Sequence, residues 1–148
     1  MDTRRQFCTF RLDSHLFGLD VQDVQEIIRQ QSATRVPLAP PVVRGLINLR
    51  GQIVTVIDLR MRLGLEARVL ERPAVNVVVR CAGSATSLMV DEIGDMVECE
   101  AASRENPPET LRGAIRELIT AVYKLDGQLL LVLDTARTID IAASMVGA

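Results

Sequence analysis

The sequence predicts an all-β fold made of two small barrels, and three observations carry that expectation. The first is an internal repeat. Asn48-Leu49-Arg50-Gly51-Gln52-Ile53-Val54-Thr55-Val56-Ile57-Asp58 returns as Lys124-Leu125-Asp126-Gly127-Gln128-Leu129-Leu130-Leu131-Val132-Leu133-Asp134, with Leu, Gly, Gln, Val and Asp at matching positions. Each copy reads as strand, tight turn, strand, and an Asp placed to cap a helix. The second is spacing: turn residues interrupt short apolar runs about every eight to twelve residues, the pattern of sandwiches and small barrels. The third is composition. The chain is 48% hydrophobic with no Trp, one Tyr and three Phe, so its core is branched aliphatic, and such side chains pack well on a pleated sheet. The repeat favours two barrels over one sandwich.

Taken in order, Phe7–Leu12 and Leu16–Val21 read as a first hairpin around Asp13-Ser14-His15. Asp20 then caps a short helix over Val21–Ile27, with Val21, Val24 and Ile28 on one face. Arg35-Val36-Pro37-Leu38-Ala39-Pro40-Pro41 is a connector stiffened by proline, which fixes φ and disfavours helix in the preceding residue. Gly45–Leu49 and Gln52–Ile57 form the first repeated hairpin, within 45–58, turning at Arg50-Gly51. Asp58 caps Leu59–Leu63, and Gly64 stops that helix. The charged segment 66–73 reads as a mobile link and an internal boundary between halves. Val75–Arg80 is a strand turned at Cys81-Ala82-Gly83-Ser84. Ser87–Val90 returns and bends through Asp91-Glu92-Ile93-Gly94-Asp95 into Met96–Cys99. A second proline-stiffened loop spans Arg104–Glu109, and Leu111–Glu117 is weakly helical. Ile119–Leu125 and Gln128–Leu133 form the second repeated hairpin, within 119–134, at the strong turn signal Asp126-Gly127. Asp134 caps a last helix to about Ile141, and 142–148 is a frayed tail. The whole, 1–148, is one domain.

Charge and composition exclude several functions. The net charge is −2 with acids and bases interspersed, so no basic surface or aromatic platform is offered to nucleic acid. No apolar run approaches the roughly 20 residues that span a bilayer, and the N-terminus lacks the apolar region of a signal peptide. Cys8, Cys81 and Cys99 are odd in number and far apart, as expected of reduced core cysteines in a cytoplasmic protein. His15 is the one histidine and sits in a turn, with no group near it in sequence to orient a base. One His and scattered Cys make no zinc set, and Asp91, Glu92 and Asp95 lack the spacing of a calcium loop and read as a solvated bend. No phosphate-cradling glycine loop is present. Neither an enzyme nor a cofactor is expected. Gln52–Ile57 and Gln128–Leu133 are apolar on both faces. One face fills its own barrel; the other must be covered by the sister barrel or by a partner. Glu26 and Arg50 stand out, Arg50 filling the turn position that Asp126 holds in the second copy.

These residues carry a resemblance. Phe17-Gly18-Leu19-Asp20-Val21, Val24-Gln25-Glu26-Ile27, Val36-Pro37-Leu38-Ala39-Pro40, and above all Val43-Arg44-Gly45-Leu46-Ile47-Asn48-Leu49-Arg50-Gly51-Gln52-Ile53-Val54 followed by Val56-Ile57-Asp58-Leu59-Arg60 resemble the chemotaxis coupling family, CheW. Val90-Asp91-Glu92-Ile93 and Lys124-Leu125-Asp126-Gly127 extend the likeness, which runs from about Phe7 to Ile141. The resemblance implies two five-stranded, SH3-like β-barrels packed about a hydrophobic seam. It implies a non-enzymatic cytoplasmic adaptor at membrane-associated receptor arrays, joining the helical tip of a methyl-accepting chemoreceptor to a histidine kinase whose regulatory domain has the same fold, in rings. Val24, Gly45, Arg50, Val75 and Ser87 match positions lining the family's receptor groove. Glu26 and Arg50 match an acid–base couple supporting it, expected here to pair across the seam. Ser87 stands where the family often has Gly, as does Ala121. The loop of Pro107, Pro108 and Glu109 is the candidate for kinase or ring contact, without a large apolar anchor. With no receiver or kinase segment attached, a stand-alone coupler is expected.

Two other readings compete. A CheW-like adaptor of another receptor–kinase system, such as surface motility, differs only in its partners. A small-ligand-binding barrel requires a deep pocket with convergent polar groups, which the sequence does not reveal.

Overall fold

The structure is a computed structural model that describes residues 3–66 and 73–141. Its strands are β1 (Arg4–Leu12), β2 (His15–Asp20), β3 (Val24–Arg29), β4 (Val43–Leu49), β5 (Gln52–Asp58), β6 (Val75–Cys81), β7 (Ser84–Val90), β8 (Glu92–Glu100), β9 (Ile119–Leu125) and β10 (Gln128–Leu133). Three short helices accompany them: α1 (Leu59–Arg62), α2 (Gly113–Leu118) and α3 (Thr135–Ile139). The strands form two five-stranded sheets, ordered β8-β1-β2-β10-β9 and β3-β6-β7-β5-β4.

The two sheets share one plan. Each joins two antiparallel hairpins through a parallel pair, β2 with β10 and β5 with β7. In each, an isolated bridge links the segment after one edge strand to the other edge strand, closing the sheet into an SH3-like barrel. Thr34, beyond β3, exchanges both backbone hydrogen bonds with Leu46 of β4 at 2.8 Å, and Glu105, beyond β8, does the same with Val122 of β9 at 2.9 Å. The central barrel is continuous in sequence, β3 to β7. The terminal barrel takes β1 and β2 from one end of the chain and β8 to β10 from the other. It is therefore the same barrel with its strand order cyclically permuted.

This topology corrects the expected internal boundary. The segment 66–73 connects β5 and α1 to β6, which lie in one sheet; residues 67–72 of it lie outside the described residues, as does the 142–148 tail. The chain passes between barrels at Asp20–Val24 and at Val90–Glu92 instead. Both repeated hairpins form as expected, and Asp58 and Asp134 accept hydrogen bonds from the amides of Met61 at 3.2 Å and Arg137 at 3.1 Å. The first helix does not. Asp20 accepts from the Gln22 amide at 2.9 Å, but only a single 3₁₀ turn, Val21–Asp23, follows before the chain becomes β3. Val24, Ile27 and Ile28 are β-branched, and pairing with the buried Val77, Val78 and Val79 of β6 outweighs a short helix of modest propensity.

Three cores result. Each barrel has its own: Phe7, Leu16, Tyr123, Leu130 and Val132 in the terminal one, and Ile47, Val54 and Val56 in the central one. The third and largest lies between them, built from Phe10, Phe17, Ile57, Val77, Val79, Leu88, Leu131 and Leu133 among others. The doubly apolar strands are thereby explained: Leu130 and Val132 point into their barrel, while Leu131 and Leu133 point into the seam. Coverage stops short of the hairpin tips, where Ile53 and its equivalent Leu129 remain exposed.

Candidate functional site

All six residues proposed for the receptor groove and its support, Val24, Glu26, Gly45, Arg50, Val75 and Ser87, fall on the central barrel. Three of them share one register row. Glu26 lies opposite Val78, Val78 opposite Ser87, Ser87 opposite Val56, and Val56 opposite Gly45. The row crosses the whole sheet and faces inward, with Val56 in the barrel's own core. Val24 and Val75 lie on the other face. Both are half-buried against the seam core, at opposite ends of the β3–β6 pair, where their partners are Val79 and Arg29.

The segment Gly45-Leu46-Ile47-Asn48-Leu49-Arg50-Gly51 has a structural reason at four positions. Gly45 is buried beside a bulge, at φ +145°, and a Cβ there would stand 2.4 Å from the Thr34 carbonyl oxygen, at the bridge that closes the barrel. Only glycine fits without moving backbone. Asn48 accepts a hydrogen bond from the Gly51 amide at 2.8 Å, holding the turn. Arg50 and Gly51 both have positive φ, as a tight mirror-image hairpin turn requires. In the second copy positive φ is confined to Gly127, and Ala121 takes the place of Gly45 without adopting its conformation.

Glu26 and Arg50 do meet: the Arg50 guanidinium donates to the Glu26 carboxylate, and the Gln25 amide donates to the same oxygen at 3.2 Å. The Arg50 hydrogen bond, aided by Gln25, holds the Glu26 carboxyl below its ordinary range, and Glu26 in turn raises Arg50. The pair does not cross the seam as expected. It ties β3 to the β4–β5 turn within the central barrel, because an inward Glu26 at the edge strand reaches the hairpin tip of the same barrel. Arg50 is largely exposed, so the pair orients two charges at the barrel mouth more than it stabilises the fold.

Ser87 departs from its assignment. It is fully buried, and its hydroxyl has no hydrogen-bond partner among the described residues. Its equivalent in the terminal barrel is Gly18, which matches it in register against Val132 as Ser87 matches Val56. Ser87 fills barrel interior and presents nothing to a surface. Gly45 is likewise buried, which leaves Val24, Val75 and Arg50 as the accessible members of the predicted set. Beside Val24 and Val75, Ile27 is 43% exposed on the same face of β3. Together they form an apolar edge along the seam, a feature sequence reasoning passed over when it made Ile27 helical.

The seam holds a second feature that local reading missed. Arg60 of α1 is buried with its Nε 2.9 and 3.0 Å from the two Asp91 oxygens and its Nη1 donating to the Glu66 carbonyl at 2.6 Å. Its Nη2 also donates to Asp13, in the β1–β2 turn of the other barrel. Asp91, expected in a solvated bend, is thus half-buried and paired; Glu92 and Asp95 of that bend are exposed. Arg62 adds hydrogen bonds to the Thr138 and Arg137 carbonyls, each 2.9 Å, and Thr135 donates to Asp23 at 2.8 Å. Polar staples therefore flank the apolar seam.

This doubled barrel, stapled about a seam and carrying its glycine and arginine on one hairpin, has known counterparts. Residues 6–143 match the family model described as CheW-like domain. The chain belongs to the CheW-like domain family. It is 30% identical over 137 residues to the chemotaxis protein CheW of Treponema pallidum, an alignment covering 90% of this chain and 81% of that one. It is 28% identical to the chemotaxis protein CheW of Bacillus subtilis, covering 93% and 88%. The crystal structure of the scaffolding protein TtCheW from Thermoanaerobacter tengcongensis superposes with a TM-score of 0.80 at 29% identity, covering 88% of each chain. Two of these relatives are named as chemotaxis proteins and the third as a scaffolding protein.

On this CheW-like fold the Pro107-Pro108-Glu109 loop belongs to the terminal barrel, remote in topology from the Arg50 hairpin. Pro107 and Pro108 are half-buried and Glu109 is exposed; the Arg116 guanidinium donates to the Pro107 carbonyl at 3.1 Å. Among the described residues no group of three His, Cys, Asp or Glu could hold a metal ion, and no helix is long and apolar enough to cross a membrane. Cys8, Cys81 and Cys99 are free thiols, and burial raises the pKa of Cys8 and Cys99.

Proposed function

We propose that this CheW-like chain is a non-enzymatic adaptor that couples the cytoplasmic tip of a chemoreceptor to the regulatory domain of a chemotaxis histidine kinase. The observation that carries the reading is the apolar edge of Val24, Ile27 and Val75 beside the seam, flanked by the Glu26–Arg50 pair. A helical receptor tip docks there by laying an apolar stripe along the edge. Arg50 supplies a charge to a polar residue of the helix, and Gly45 and Ser87 act from beneath by setting the barrel's shape. The kinase contact is barrel against barrel, and the Pro107-Pro108-Glu109 loop, on the other barrel, is left free for it and for ring assembly. On this reading the protein works on the cytoplasmic side, at receptor arrays.

Reconstitution with a receptor cytoplasmic fragment and the kinase tests the reading. Kinase phosphorylation that depends on the receptor rises when the protein is added, and Val24→Asp lowers that gain without altering the fold seen by circular dichroism. If the protein binds neither component, the adaptor reading fails.

A further inference from the structure

The central barrel buries a polar side chain for which the described residues offer no partner. Asn76 of β6 is 1% exposed, and neither its amide nitrogen nor its amide oxygen is hydrogen-bonded. The register fixes its direction. Asn76 lies opposite Met89 and shares a strand face with Val78, so it points into the barrel along with the inward row. Asn76, Met89 and Val56 together floor a cleft of about 840 Å³ whose wall is the proline-stiffened segment, Pro37 and Pro40 included, with Arg35 beside it. Arg35 is exposed and makes no ion pair or hydrogen bond among the described residues. The cleft has the size of a small-molecule site; Gln30, Gln31, Ser32 and Arg44 line it as well as the prolines, and of its polar side chains Asn76 is the one buried with no hydrogen-bond partner among the described residues. In the terminal barrel the matching position is Phe7, packed against the Tyr123 ring at 5.3 Å. One barrel thus spends this position on aromatic packing and the other on an amide.

A carboxamide presents a donor and an acceptor side by side, and the group that satisfies both at once is another carboxamide in the same plane. We propose that the cleft over Asn76 binds a small molecule bearing a primary carboxamide and a carboxylate, the carboxamide pairing with Asn76 and the carboxylate with Arg35. Val56, Met89 and the prolines hold the aliphatic stem between the two groups. The site is separate from the apolar edge proposed for the receptor and does not depend on the coupling role.

N-acetyl-L-glutamine is a probe that carries both groups, and N-acetyl-L-methionine keeps the carboxylate and stem without the carboxamide. In the ¹⁵N-labelled full chain, the Asn76 side-chain NH₂ signals are assigned by their loss in Asn76→Leu. Titration with N-acetyl-L-glutamine shifts these signals and the Met89 methyl saturably, whereas N-acetyl-L-methionine leaves the Asn76 signals unmoved. Arg35→Ala weakens the binding by about fivefold, the worth of an exposed charged contact. Asn76→Asp, which keeps the shape and removes the donor, weakens it by more than about tenfold. Three outcomes overturn the proposal: no saturable shift of Asn76; unchanged Met89 shifts in both Asn76 variants; or Asn76 signals that move with a receptor or kinase fragment but not with N-acetyl-L-glutamine, which assigns the cleft to a protein side chain.

Discussion

Arg60→Ala is expected to cost more stability than any change at the candidate receptor edge. The guanidinium side chain is 8% exposed and its main partner, Asp91, is 14% exposed. Removing the cation leaves the Asp91 carboxylate in a half-buried site without the two guanidinium nitrogens, Nε and Nη2, that lie within 3.0 Å of its oxygens. Breaking a buried pair from one side costs about 3–5 kcal/mol. Asp13 adds little to that figure, because at 37% exposed it regains water. Against the roughly 5–15 kcal/mol that holds a domain of this size together, the loss is large. It corresponds to a fall in Tm of about 10 °C. Urea denaturation of wild type, Arg60→Ala, and the paired Arg60→Leu/Asp91→Leu variant measures it through the midpoint at constant slope. The paired variant recovers most of the loss, since replacing a buried ion pair by apolar groups is often close to neutral. A loss below about 1 kcal/mol in Arg60→Ala, or a paired variant no more stable than the single one, would refute the account of Arg60 as a buried lock between barrels.

Three further expectations follow from the central barrel. Gly45→Ala forces a Cβ against the Thr34 carbonyl at a strained φ and is expected to destabilise by about 2–4 kcal/mol, with loss of exchange protection at the Leu46 amide; Ala121→Gly, at the equivalent place, costs only about 0.5–1 kcal/mol, and equal costs at the two positions would contradict the close-approach argument. Ser87→Ala removes a buried hydroxyl without a partner and is expected to raise stability by about 1 kcal/mol, read as a Tm higher by about 2–4 °C; a lower Tm would mean the hydroxyl is satisfied. Because Arg50 lowers the Glu26 pKa, the pair's contribution is present above the ordinary carboxylate range and is lost as pH falls through the lowered folded-state pKa. Carboxyl ¹³C titration should show Glu26 moving upward in Arg50→Ala, and an unmoved Glu26 would sever the link.

What could be read along the chain was whatever the chain settles locally. The Arg50-Gly51 and Asp126-Gly127 turns, the Asp58 and Asp134 caps and the Gly64 stop each rest on hydrogen bonds or backbone angles within about four residues, so residue type alone specified them. The repeat announced two similar units because both hairpins obey those same local rules. The Glu26–Arg50 pair was anticipated through resemblance, not through spacing.

The rest was decided by which distant strands bury each other's faces. Sequence alone does not order β2 beside β10 or β5 beside β7; those parallel pairings bring together residues far apart in the chain, and they are chosen because they close two barrels and cover their apolar outer faces. The same global choice overrode the local helix signal after Asp20, took Asp91 out of a solvated bend and gave it Arg60, and turned Ser87 and Asn76 inward. The residue identities thus determined turns, caps and the two-fold repetition, while burial across the seam determined which of the repeated surfaces was left open, because apolar faces are covered only by partners that the tertiary fold supplies.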